Sequence, residues 1–532
     1  MARTLWRAAF LPSWELWPPR PSVLAAAIDV LAGRCSSIKP SFSINKFDPQ
    51  VNYFGVPAET LVRRSEELLE LSCKLFGKRL TMWLLKKSVY KVFCGGENED
   101  EVLATMQKLE SRGVKTVLDY AVEASPDDVT LNANVFDNNA RSIWNAVLTA
   151  VAEGDALVAL KVSALGPVST IQRAGKVIAA VERLFAELCG MPPSRSHKQI
   201  LPDLVMQKEL TRAAFVSGIQ KLTAEANLPE ASEEDVNLAF DVLLAQPGGG
   251  EDKSKASYFQ WTHLLQPHKV GRAELSVFNR LVTPLSEADA KEVAATEERL
   301  WKLCEMTANV GTNPGLLVDA EQTPLQGFIC NITCTAQKRF NKDGQYLIYN
   351  TYQAYLKATK RQLRSDLEMA RRFGFNIAVK LVRGAYLSFE RQAAEEHGYP
   401  CPVFDSLEET HRSFDSSVRH LLDHLDRVAI IIGTHNRESI RKATDLLSGI
   451  CQRSNDVAGR GEMPGSPSPT GCFPAGKKKQ LLTPASLPVS FGQLLGLSDD
   501  ITFMLSSSGF RVYKYVPYGP VHVTIPYLLR RV

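Results

Sequence analysis

Two adjacent arginines, Arg530 and Arg531, stand on a helical stretch with Tyr527 one turn earlier. Two guanidinium groups presented together offer paired N–H forks, a geometry suited to gripping a small carboxylate. Taken alone, the pair reads equally well as a solvated helix end. Its company changes that reading. Tyr386, Leu494, Tyr515 and Tyr527 can supply apolar and aromatic walls for a small ring, while Lys161 and Asp319 carry charges that compensate one another and a charged substrate. The chemistry suited to this set is the handling of a small carboxylate-bearing molecule.

Such residues need a scaffold that gathers them from across the chain. Eight short β-type runs, at 116–120, 157–162, 316–318, 346–349, 377–382, 428–432, 489–491 and 512–516, alternate with helical stretches such as 353–372 and 404–426. That is the arithmetic of an α/β fold of the (β/α)8, TIM-barrel type. The polar residues fall at the run ends: Asp119 and Glu123, Lys161 and Ser163, Asp319 and Glu321, Asn350 and Gln353, Lys380 and Arg383, Thr434 to Asn436, Gln493, and Lys514 with Tyr515. A barrel builds its site in this way, from the C-terminal ends of its strands.

The rest of the chain frames this barrel. The expected organisation is a leader over 1–40, a helical arm over 41–110 and the barrel over 111–532, interrupted by a helical insertion at 190–272 and a disordered one at 453–488. In the leader, Arg3, Arg7, Arg20, Arg34 and Lys39 face only Glu15 and Asp29, the pattern of a mitochondrial transit peptide. From 60 to 93 apolar positions recur at helical spacing beside Lys78, Arg79, Lys86 and Lys87, which suits a helix lying on a core, on another subunit or on an anionic membrane surface. The first insertion carries helical pieces at 203–226 and 233–245, a helix-loop-helix spacing like that of a calcium-binding hand, but its loop lacks the regular carboxylates calcium needs. The second is rich in Pro, Gly, Ser and Lys.

Composition excludes several classes. At 532 residues, 45% hydrophobic and 23% charged, the chain is globular rather than disordered, and 62 basic against 58 acidic residues leave a net charge of only +4, which does not make nucleic acid a default partner. Ten cysteines without a CxxC pair suit a reducing compartment rather than a disulfide scaffold. No apolar run is long enough to cross a bilayer as a helix. There is no GxGxxG. Gly471 and Gly476-Lys477 have P-loop spacing, but Lys478 stands where the magnesium-binding hydroxyl belongs. His420 and His424 share a helix face without the third ligand a metal requires, so no metal is expected.

Read in order, 316–323 (LLVDAEQT), 349–357 (YNTYQAYLK), 380–386 (KLVRGAY), 434–436 (THN), 491–496 (FGQLLG), 513–519 (YKYVPYG) and 527–531 (YLLRR) resemble the proline dehydrogenases, most nearly the eukaryotic mitochondrial type. The resemblance covers 114–532 apart from the two insertions. It implies a distorted (β/α)8 barrel that binds FAD and oxidises L-proline to Δ1-pyrroline-5-carboxylate, the first step of proline catabolism. Electrons would pass to ubiquinone on the matrix side of the inner mitochondrial membrane. It further implies that Lys161, Arg530 and Arg531 bind the proline carboxylate, that Asp319 sits beside the reacting centre, and that Lys380 lies close to the flavin. Ala320, Gln353, Val382, Arg383, Gly384, Ala385, Thr434 and His435 would contact FAD. Tyr515 takes the place of a smaller Ser in the related hydroxyproline dehydrogenases, so crowding by the larger ring favours proline as substrate. Family members continue the last helix beyond the double arginine, whereas this sequence stops at Val532, and 453–488 replaces a short link; the implied clamp then stands on a frayed end, as in an incomplete isoform. The alternatives are a hydroxyproline dehydrogenase and a truncated, catalytically silent homologue.

Overall fold

The computed structural model describes residues 65–120, 133–191 except 153 and 155, 203–270 except 265 and 268, 276–311, 314–460 and 482–529. The leader at 1–40 therefore lies outside the described residues. Among those described, β1 (Lys115–Tyr120), β2 (Leu157–Leu160), β5 (Gly315–Val318), β6 (Ile348–Gln353), β7 (Ile377–Val382), β8 (Val428–Gly433), β9 (Val489–Leu494) and β10 (Arg511–Tyr518) form a closed barrel in that order. The strands read as apolar runs because both faces are covered: β2 and β5 are buried at every position. The chain divides into two compact units, 1–122 with 493–532, and 123–492.

In the larger unit the helices that return the chain between strands are cut to length by identifiable signals. After α1 (Val168–Leu188), α2 (Thr323–Phe340) starts with Pro324 in its first turn, where a missing N–H costs nothing. Next, α3 (Thr359–Phe373) ends on Gly374 at φ 67°, a left-handed cap that glycine adopts without strain. It is followed by α4 (Leu387–His397), then α5 (Leu407–Leu422), which opens with a capping box between Ser406 and Glu409, and α6 (Arg437–Arg460). The insertion shares a core with α1, in which Phe185 of α1, Phe215, Phe240, Trp261 and Phe278 are fully buried and the Trp261 indole donates to the Val181 carbonyl at 2.8 Å.

The structure corrects four details of the sequence reading. The run expected at 346–349 is displaced: β6 extends to Gln353, so Asn350 and Gln353 belong to the strand, and the helix expected from 353 begins at Thr359. Ladder bonding to both neighbours, Val318 with Asn350 and Gln353 with Val382, outweighs their low strand propensity. In the insertion, the helical piece expected over 203–226 is broken: Asp203–Gln207 is a short 3-10 turn, β3 (Glu209–Thr211) pairs antiparallel with β4 (Lys255–Ser257), Leu210 opposite Ala256, and the α-helix begins at Arg212. Helix α6 continues through 453–460, and Asn455 Oδ1 accepts from the Leu482 amide at 2.7 Å while its Nδ2 donates to the Leu482 carbonyl at 3.0 Å, so disorder does not extend over those residues. Residues 461–481, the middle of that stretch, lie outside the described residues.

In the smaller unit, two helices, Ser65–Phe76 and Lys78–Leu85, lead to a core of Tyr90, Cys94, Val521 and Ile525, against which Leu69, Met82 and Leu85 pack. Between Asp499–Ser507 and the last helix, Val521–Leu529, runs β10, which pairs parallel with β1, Val117 opposite Tyr515.

Candidate active site

Strand register brings the charged residues together. Leu160 pairs with Val318, so the residues that follow, Lys161 and Asp319, emerge side by side, and the Asp319 amide donates to the Leu160 carbonyl at 2.8 Å. One strand further, the Thr351 hydroxyl donates to the Val318 carbonyl at 2.7 Å, and Thr351 is in register with Lys380. Asp319 is thereby set between two ammonium groups: Lys161 Nζ lies 3.5 Å from Oδ2, and Lys380 Nζ donates to Oδ1. All three side chains are almost wholly excluded from solvent. Burying groups of this kind is costly unless they are paired, and here both lysines face one carboxylate.

Next to this row the loop after β5 is held by hydrogen bonds to backbone amides. Buried Glu321 accepts the Ser163 amide on Oε1 at 3.0 Å, and its own amide donates to Gln326 Oε1 at 3.0 Å. Gln353, the last residue of β6, bridges two loops: Nε2 donates to the Glu321 carbonyl at 3.0 Å, while Oε1 accepts the Ala385 amide at 3.4 Å. The turn after β7 is pinned again by the Ala354 amide on the Val382 carbonyl and the Tyr355 amide on the Arg383 carbonyl, both at 2.8 Å. At its apex Gly384 has φ 137°, and a Cβ there would meet the Tyr355 ring at 2.0 Å, so only glycine fits. Gly384 and Ala385 are exposed, and Val382 and Tyr386 are half-buried.

Arg383 projects from that turn onto neutral partners. Its Nη1 donates to Thr434 Oγ1 at 2.6 Å, Nη2 to Ser439 Oγ at 2.9 Å and Nε to His411 Nδ1 at 3.1 Å, with the Phe414 ring 4.4 Å below the guanidinium. Burial pulls this guanidinium down from its ordinary value, and nearby Asp415 opposes the pull. Thr434 and Asn436 in turn cap the start of α6, receiving the Asn436 and Ser439 amides at 3.1 and 2.9 Å. His435 is half-buried and Ala320 is buried in the loop beside Asp319.

The remaining expected site residues belong to the smaller unit. Leu494 closes β9 and Tyr515 lies within β10; the Leu495 amide donates to the Tyr515 carbonyl at 2.9 Å. Lys514, with no exposed surface, donates to the Leu494 and Leu497 carbonyls at 3.1 and 2.5 Å and sits 2.7 Å from Asp499. The backbone of Tyr527 is in the last helix, while the position of its side chain, Arg530 and Arg531 lie outside the described residues.

Comparison with known proteins gives this arrangement its context. The family pattern described as proline dehydrogenase matches residues 102–458 and 475–532. This chain belongs to the proline dehydrogenase family. It is an oxidoreductase of that activity, and proline oxidation is the family's reaction. Over 89% of its length the chain is 27% identical to a proline dehydrogenase 1, mitochondrial, of Caenorhabditis elegans, covering 79% of that protein. To the human proline dehydrogenase 1, mitochondrial, it is 28% identical over 88% of the chain and 80% of the relative. A hydroxyproline dehydrogenase of Xenopus laevis matches at 27% over 89% of the chain and 78% of its own length. Among solved structures, proline utilization A from Bdellovibrio bacteriovorus, inactivated by N-propargylglycine, superposes with a TM-score of 0.54 at 14% identity over 96% of the chain, which spans 40% of that protein; this likeness shows the barrel fold.

Several working residues had no role in the sequence reading. Ser439, His411 and Gln326 sit on helices whose periodicity marks only which face is buried, and Glu390, wholly buried, accepts the Thr323 amide at the start of α2. For Glu321 the position at a strand end was the available signal.

Proposed function

We propose that this chain oxidises L-proline to Δ1-pyrroline-5-carboxylate with FAD as resident cofactor, and passes the electrons to ubiquinone on the matrix side of the inner mitochondrial membrane. The observation that carries this reading is the buried row of Lys161, Asp319 and Lys380 beside a glycine turn whose arginine has only neutral hydrogen-bond partners. The residues present fit a flavin dinucleotide. Arg383's own hydrogen-bond partners are hydroxyls and an imidazole, with Asp415 standing behind Ser439, which leaves the guanidinium able to meet an anionic group, and Gly384 and Ala385 are exposed where a larger residue at 384 would collide with Tyr355. Gln353, Arg383, Gly384, Ala385, Thr434 and His435, with Ala320 and Val382, are the residues that would hold it. When bound, FAD supplies a two-electron acceptor for the ring carbon next to the proline nitrogen.

The chain's own groups do the rest. Lys161, with Arg530 and Arg531, would fix the proline carboxylate, and holding the ring in register in this way is worth up to about 7–11 kcal/mol of the barrel site's rate advantage. The substrate amine must be neutral so that its lone pair can assist loss of the neighbouring C–H. Asp319, anionic between its two lysines, then faces the positive charge that develops on that nitrogen, a charge it stabilises in a site from which water is excluded. Lys380 orients Asp319 from the other side and would lie close to the flavin. Tyr386, Leu494, Tyr515 and Tyr527 would form the walls around the ring.

The test is the visible absorption spectrum of the purified protein before and after L-proline is added without oxygen. Oxidised-flavin bands that bleach with proline are the expected result; absence of flavin would overturn the cofactor assignment and favour a catalytically silent homologue. The comparable identity to hydroxyproline dehydrogenases supports a second reading, which the bulk of Tyr515 disfavours. Comparable kcat/KM for proline and hydroxyproline would favour that second reading, and Tyr515→Ser should move the preference toward hydroxyproline.

A further inference from the structure

The two helices before the smaller unit's core present an unusual outer face. Leu71 and Leu75 are one turn apart on Ser65–Phe76, Phe76 ends that helix, and Leu80 and Trp83 are one turn apart on Lys78–Leu85. Leu75, Phe76 and Trp83 are 68%, 59% and 55% exposed, and Leu71 and Leu80 about half exposed. These side chains are not held back for the protein's own core, because Leu69, Met82 and Leu85 from the same two helices already pack on Tyr90, Cys94, Val521 and Ile525. Exposed side chains of this size normally occur singly; here five lie within residues 71–83.

The charges beside them are mostly basic. Lys74, Lys78, Arg79, Lys87 and Lys91 are all exposed, against a single exposed acid, Glu70, over 69–93. No helix among the described residues is long and apolar enough to cross a membrane. An apolar stripe flanked by basic side chains is the pattern that lies in a bilayer interface, apolar groups in the acyl boundary and ammonium groups among the headgroups.

We infer that the outer face of residues 71–91 docks on an anionic lipid bilayer, with Leu75, Phe76 and Trp83 as the inserted groups and Lys78, Arg79 and Lys87 as the headgroup contacts. The inference rests on the membrane reading above and deepens it, by naming the surface and the lipid charge. A peripheral attachment of this kind would keep the enzyme at the layer in which a lipid-soluble quinone diffuses.

The experiment is flotation of the full chain with vesicles of phosphatidylcholine alone or with phosphatidylglycerol. Binding is expected only with the anionic lipid and should weaken with salt as the charges are screened. Lys78→Glu with Arg79→Glu should lower the partition coefficient by about fivefold or more per residue, and Leu75→Ser with Phe76→Ser and Trp83→Ser by about tenfold. Thermal stability and turnover with a water-soluble dye acceptor should stay at the parent level, since none of these residues is buried or in the site. Failure of the parent chain to bind either vesicle would overturn the membrane reading itself. Binding that all these variants leave intact would overturn the assigned surface while sparing that reading, and lipid-free self-association abolished by the apolar variants would assign the face to a second copy of this chain instead.

Discussion

Lys161 and Asp319 are neighbours because their strands are in register: Leu160 faces Val318, the Asp319 amide is bonded to the Leu160 carbonyl, and Lys161 Nζ consequently stands 3.5 Å from Asp319 Oδ2. Lys380 reaches the other oxygen from β7. Replacing the carboxylate by an amide of the same shape leaves two buried ammonium groups facing each other without their shared partner. Asp319→Asn should therefore destabilise the fold by about 3–5 kcal/mol. It should also lower kcat/KM for proline by about 10²-fold or more, because the developing charge on the ring nitrogen loses its counter-charge. Thermal unfolding and steady-state kinetics on one preparation check both; an unchanged kcat/KM would remove Asp319 from the reacting centre.

The turn after β7 depends on one missing side chain. At Gly384 a Cβ would overlap the Tyr355 ring, and φ 137° is itself unfavourable for other residues. Gly384→Ala should cost about 1–3 kcal/mol and shift the Ala385 amide off Gln353. The expected readout is a lower flavin-to-protein absorbance ratio after gel filtration. Full flavin retention in a variant of reduced stability would show that the turn is structural and not a cofactor contact.

Lys514 organises the segment that carries Leu494. Burial pulls its ammonium down from the ordinary lysine value while Asp499 opposes the fall, and the Leu494 and Leu497 carbonyls complete its hydrogen bonds. Lys514→Met keeps the volume but strands two carbonyls and Asp499. A lower melting temperature is expected, together with a several-fold higher KM for proline at little-changed kcat, and Lys514→Arg should recover part of the loss. Equal effects on kcat and KM, or none on KM, would separate Lys514 from substrate binding.

The barrel was legible because most of its strands leave an apolar run bounded by polar residues, and the runs at 377–382 and 428–432 match β7 and β8 within a residue. Polar residues inside a strand obscured β6, where Asn350 and Gln353 look like loop until both neighbouring ladders are seen. Three-residue strands such as Glu209–Thr211 are too short for any period to register. Lys161, Asp319 and Lys380 could be nominated from strand-end positions and family motifs, but their sharing of one carboxylate is a matter of register between strands far apart in the chain. Arg383's contacts with Ser439 and His411 come from helix faces, about which local sequence says nothing specific.

Outside the barrel, Asp366 on α3 is buried where strand β6 turns its Tyr352 hydroxyl outward, donating to Oδ2 at 2.6 Å, with Gln362 Nε2 donating to Oδ1 at 3.0 Å. Burial pushes the Asp366 carboxyl up to about 7, with Glu182 adding to the rise and the bonds from Tyr352 and Gln362 resisting it. In the unfolded chain an aspartate titrates near 4. Between about pH 4 and 7 the folded state therefore binds more protons at this position than the unfolded state, and the stability it contributes is complete at low pH and lost as pH rises to about 7. Asp366→Asn stays neutral throughout and keeps the acceptor for Tyr352. The melting temperature of the parent chain should accordingly fall relative to Asp366→Asn as pH is raised from about 4 to 7, by an amount on the order of a few kcal/mol in stability, and the two curves should run parallel above that range. Curves parallel from pH 4 upward would show that Asp366 ionises normally and that its charge is stabilised within the folded protein.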